Sequence, residues 1–205
     1  MNMLFNPMKS VTNRSKWAQP ILKIWRPILL TLTLFLFASA ATADLYDDYI
    51  NSTSKLPFIT FLARDSDGFT KLPGHAFVGL GVDVEAGLRV YEKLLGYYPK
   101  NETFLEEIKA SYSRVSGRLD AKFEDVLWKV EYRVRLTEAQ RMAVQQVIDR
   151  WMANDPKYSL TAFGGKNCNV LAAEIARAIS LKIPANPGTT LPVLYIAKMK
   201  QMNGG

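Results

Sequence analysis

Residues 126–140 constrain the fold more than any other stretch. Val126, Trp128, Val130, Tyr132, Val134 and Leu136 alternate with Leu127, Lys129, Glu131, Arg133 and Arg135. A period of two sends successive side chains to opposite faces, so the run predicts a half-buried strand. Thr137-Glu-Ala-Gln140 follows at once and fits a capping box, with Thr137 as N-cap and Gln140 at the third helical position. The helix it opens carries Met142, Val144, Val147, Ile148 and Trp151 at apolar positions, and Asp155-Pro156 stops it.

Upstream, residues 56–63 are rich in β-formers and read as a first strand, followed by turn chemistry at 64–68. Residues 75–82 form a second strand, entered through Pro73-Gly74. A turn over 83–87 leads to a third strand, 88–95, which Gly96-Tyr-Tyr-Pro99 ends. Phe104, Leu105, Ile108 and Tyr112 have helical spacing within 101–117, and 44–54 reads as a short lead-in helix. Residues 191–196 suggest a last strand before a loose, basic tail. Hairpin-linked strands with separate helices predict an α+β fold, a mainly antiparallel sheet packed against helices.

The first 43 residues have the three parts of a secretory signal peptide. Lys9, Arg14, Lys16, Lys23 and Arg26 come without any acidic residue, an apolar run spans 28–37, and Ala-rich residues close the segment. Cleavage is expected after Ala43, with Ala40 as the alternative. The apolar run is short of the roughly 20 residues a spanning helix needs. The expected product is a single exported domain, residues 44–205, periplasmic or secreted, with no membrane span. The formal charge of +7 falls to about +2 once the five leader cations are gone, which gives no case for a nucleic-acid partner.

The chain has one cysteine, Cys168, and one histidine, His75. A single thiol in an exported protein makes no internal disulfide, so it is either a small buried residue or one kept for reactivity. Gly164, Gly165 and Asn167 precede Cys168. Leu171, Ile175 and Ile179 then recur every four residues, and Pro184 sets the far limit. Cys168 is therefore expected at the first turn of a helix, where unpaired N–H groups and the dipole favour a thiolate. His75 opens the second strand and reads either as the base such a thiol needs or as a strand-end residue satisfied by backbone. One His and one Cys are too few for a zinc site, so no metal or other cofactor is expected.

Gly74-His75-Ala-Phe-Val-Gly-Leu-Gly and Asn167-Cys168-Asn-Val-Leu-Ala-Ala-Glu-Ile-Ala-Arg-Ala-Ile-Ser-Leu-Lys-Ile-Pro184 together resemble the circularly permuted papain-like cysteine hydrolases. This group is related to the papain-superfamily cell-wall endopeptidases and to the lecithin–retinol acyltransferase type. The permuted members place the His strand before the Cys helix, as here, and the Tyr158…Gly164-Gly165…Cys168 spacing resembles the lead-in of the cell-wall peptidases. The resemblance runs from His75 to Pro184 but is motif-like only at its two ends.

The resemblance implies a thiol hydrolase acting on amide bonds, with cell-wall peptides as a substrate class, or a lipid-directed acyltransferase or thioesterase on the same scaffold. Cys168 would be the nucleophile and His75 the base. Glu92, with Tyr91 as alternative, would orient the imidazole, and Tyr158 would stand near the oxyanion or substrate. A non-enzymatic envelope protein that keeps the fold is the third reading. The Lys129, Glu131, Arg133 and Arg135 stripe reads as a solvated sheet face.

Overall fold

The computed structural model describes residues 49, 55–66, 74–84, 87–101, 103–121, 127–160 and 166–205. The signal-peptide expectation, nearly all of the lead-in helix and the Gly164-Gly165 pair lie outside the described residues. The fold below is that of the unit Asn51–Gly205.

Among the described residues of this unit the elements are, in order, β1 (Lys55–Arg64), β2 (His75–Val84), β3 (Arg89–Pro99), α1 (Phe104–Tyr112), β4 (Val115–Asp120), β5 (Val130–Arg135), α2 (Glu138–Asn154), β6 (Lys157–Tyr158), α3 (Cys168–Ala178) and α4 (Pro192–Met202). The strands form one antiparallel sheet in the order β5-β1-β2-β3-β4-β6. The α+β class expected from the pattern is the one observed.

The capping box forms as the sequence requires. Gln140 N donates to Thr137 Oγ1 at 3.2 Å, and Thr137 N donates to Gln140 Oε1 at 2.9 Å. Three segments depart from expectation. Gly96-Tyr-Tyr-Pro99 does not end β3 but continues it, because Tyr97 and Tyr98 bury on its two faces while β4 pairs alongside. Strand β4 itself falls in what reads as the tail of the 101–117 helix. Its partner lies some twenty residues upstream, out of reach of local propensity. Residues 191–196 begin a helix, not a strand. Pro192 takes the first turn, where a missing N–H costs nothing, and Tyr195, Ile196 and Met199 share one buried face.

One face of the sheet carries the helices. Ile59, Phe61 and Ala63 of β1, Ala76 and Val78 of β2 and Tyr97 of β3 join a single buried cluster with α2, α3 and α4. Helix α3 lies against β2 and β3, and α4 against β5, β1 and β2. Large side chains such as Ile148, Leu171 and Ile175 are fully buried there, each worth roughly 1.5–3 kcal/mol by apolar burial.

The other face carries Phe58, Leu62, Phe77 and Tyr98, also buried. Trp128 does not extend the alternation of β5. It precedes the strand, and its ring reaches Tyr91 at 6.3 Å across this second face.

Candidate functional site

Cys168 is the first residue of α3 and is buried. The helix start is well fixed. Asn167 caps it, its Oδ1 accepting from Val170 N at 3.1 Å, and its Nδ2 donates to Gly188 O at 3.0 Å. Asn169, on the far side of the cysteine, donates from Nδ2 to Thr190 O at 2.7 Å. Two asparagines thus tie the first turn to the 186–190 loop, with Cys168 held between them.

The approach to this helix is anchored to the sheet. Lys166 forms a parallel bridge with Tyr158, with Ser159 N donating to Lys166 O and Lys166 N to Lys157 O, both at 3.0 Å. Tyr158 is buried in the same cluster as Cys168, and its ring lies 5.5 Å from that of Tyr97. The Tyr97 hydroxyl donates to Pro156 O, and burial, followed by the nearby Asp155 charge, pushes its pKa well above the ordinary tyrosine value.

A charged tie that the sequence reading missed braces the same turn. Glu174 accepts from Trp151 Nε1 at 2.8 Å and from Lys166 Nζ at 2.7 Å, while Lys166 Nζ sits 4.7 Å above the Trp151 ring. Burial alone would raise the Glu174 pKa. The hydrogen bonds from Lys166 and Trp151, with the charges of Lys166 and Arg150, outweigh it and hold the carboxyl below its ordinary value. The available signal was the one acid on an alanine-rich helix.

His75 lies at the same end of the sheet as Cys168. Strand β6 pairs with Val115 and Ser116, and Lys100 N donates to Ser116 O just past the end of β3. His75 opens β2 two residues before Phe77, which pairs with Gly96, so His75 stands level with Tyr98 at that end. The two residues differ in face. Ala76 and Val78 point to the helices and share the cluster with Cys168. His75 and Phe77 alternate to the other side. The imidazole stacks on Tyr98, centroids 4.2 Å apart, and on Phe77 at 6.2 Å and 8°. It lies over Gly96, where a Cβ would collide with His75 Nε2. Helix α3 meets β2, but the imidazole is directed along the face α3 does not cover.

Glu92 does not orient His75. Leu80 pairs with Lys93 and Gly81 with Tyr91, so Glu92 is the extra residue of a β-bulge. Its level on β2 is five residue steps from His75, on the order of 17 Å at the usual strand rise. Glu92 instead lines a cavity of about 170 Å³ with Lys93, Arg141 and Gln145. Tyr91, the alternative, is at the same level; it meets the Phe58 ring edge-on at 5.3 Å. Tyr98, which stacks on the imidazole, reads in sequence only as strand-end punctuation.

Among the described residues, no group of three or more His, Cys, Asp or Glu side chains could hold a metal ion. No protein-family model, curated protein or solved structure matches the chain.

Proposed function

We propose that the chain is an exported envelope domain that keeps the permuted papain-like layout, His strand before Cys helix, as a scaffold. The observation that carries this reading is the stacking of His75 on Phe77 and Tyr98, on the sheet face opposite the cluster that holds Cys168. A base must come within hydrogen-bond reach of the proton it takes, directly or through one water. In this reading Cys168 and His75 serve packing, and the leader directs export.

A second reading has its own support. Cys168 opens a capped helix of 11 residues at the same end of the sheet as His75, with Tyr158 in its cluster. That favours a thiol hydrolase acting on amide bonds of cell-wall peptides, or a lipid-directed acyltransferase, provided the imidazole rotates around the strand end. Turnover assays with cell-wall peptide fragments and with acyl-lipid donors separate the readings. The first predicts no turnover that differs between the wild type and Cys168→Ala. Turnover lost in Cys168→Ala, or an acyl adduct on Cys168 seen by mass spectrometry, overturns it.

A further inference from the structure

We infer that the outward face of α4 is a docking surface for an anionic lipid bilayer. Two leucines stand on it, Leu191 68% and Leu194 60% exposed. They are three residues apart and so share one side of the helix, with Lys198 one turn beyond Leu194. Tyr195, Ile196 and Met199 take the opposite, buried side. Leu191 is also the N-cap, where Ser, Thr, Asp or Asn would bond the first free N–H groups, and it makes no such bond. An apolar chain thus faces solvent where folding alone favours a polar one, a departure from local preference of the kind binding surfaces carry. The helix start is held in place from below. Asn169 donates to Thr190 O, and Thr190 Oγ1 donates to Asn186 O at 2.9 Å.

Charge identifies the occupant. Every residue from 166 onward is described. Residues 175–205 hold Arg177, Lys182, Lys198 and Lys200 and no Asp or Glu. Lys198 and Lys200 are exposed and have no ion-pair partner among the described residues. Lys182 joins them at the far end of α4, where its N donates to Asn203 Oδ1 at 2.9 Å and its carbonyl accepts from Asn203 Nδ2 at 2.8 Å. The strands beneath turn Ile59, Phe61, Ala76, Val78 and Tyr132 toward the helices, none of them acidic. Exposed leucines beside unpaired lysines match the boundary between acyl chains and anionic headgroups, with the lysine stems lying along the apolar surface and their heads among the phosphates. A two-fold pairing of this face with itself would set cations against cations, so a second copy fits it less well.

The test is amine acetylation of the full-length wild type, read lysine by lysine in a mass spectrometer, with phosphatidylglycerol or phosphatidylcholine vesicles. The readout is local, so lipid contact made elsewhere in the chain does not mimic it. Phosphatidylglycerol is expected to slow acetylation of Lys198 and Lys200 about fivefold or more and to leave Lys129 unchanged, while phosphatidylcholine protects neither. Leu191→Ser/Leu194→Ser is expected to lose the protection at an unchanged urea midpoint, since both positions are exposed. Should that variant fold poorly, the wild-type pattern still decides. Absence of protection, equal protection at Lys129 or by phosphatidylcholine, or protection retained in the folded leucine variant overturns the surface. Protection that needs no vesicles and grows with protein concentration overturns it in favour of a second copy.

Discussion

Gly96 is where β3 makes room for the imidazole. A Cβ at this position would collide with His75 Nε2 and lie 2.7 Å from the Tyr98 ring, and both neighbours are buried and stacked on each other. Neither can yield without losing its own packing. Gly96→Ala is therefore expected to destabilise the protein by about 1–3 kcal/mol through overpacking, read as a lower urea midpoint at constant slope. An unchanged midpoint would mean that the ring does not occupy that place. The same residue shows what a one-dimensional reading loses. A Gly-Tyr-Tyr-Pro run looks like punctuation, yet here it is strand interior, with the glycine required by a side chain two strands-worth of sequence away. His75 and Cys168 were legible as the two unique residues, each at the start of its element, as observed. The face each side chain takes was not, because strand alternation fixes faces only once the partner layer is known.

At the scale of elements, the junctions with strong local chemistry formed as their residues dictate. The 130–135 part of the alternating run, the Thr137 cap and the Cys168 helix with its Asn167 cap are present. Strand β4 and helix α4 were not legible. The first depends on a distant partner. The second shows an apolar run too short for periodicity to separate strand from helix. Helices α2 and α3 are joined through Glu174, and this joint makes a pH-dependent prediction. A carboxyl whose pKa is depressed in the folded state contributes stability that is complete above its ordinary pKa. That contribution is lost as pH falls through the depressed value. Glu174→Gln keeps the shape and removes the charge, so near neutrality it should cost on the order of 1 kcal/mol, reduced because the carboxylate remains partly hydrated. Denaturation midpoints of wild type and variant should converge as pH drops below the ordinary carboxylate range. A gap that stays constant into acid would remove the charged tie from the account.

Among its described residues, the unit Asn51–Gly205 is a six-stranded sheet with helices on one face and, on the other, Phe77, Tyr98, Trp128 and the arginines around Asp83. No helix among the described residues is long and apolar enough to cross a membrane. Export predicts that protein recovered from outside the cytoplasm begins at Asp44, as read by N-terminal sequencing. A retained leader would instead make residues 1–43 an anchor. The central claim concerns how the two unique residues divide between the faces. Because Cys168 is the single thiol, its alkylation by iodoacetamide can be followed without interference, in the wild type and in His75→Ala, across acid to mildly alkaline pH. The account predicts slow alkylation in the folded protein, rising along one pH curve that His75→Ala leaves unchanged. Fast alkylation that persists into the acid range and disappears in His75→Ala would reveal a thiolate–imidazolium pair and contradict it.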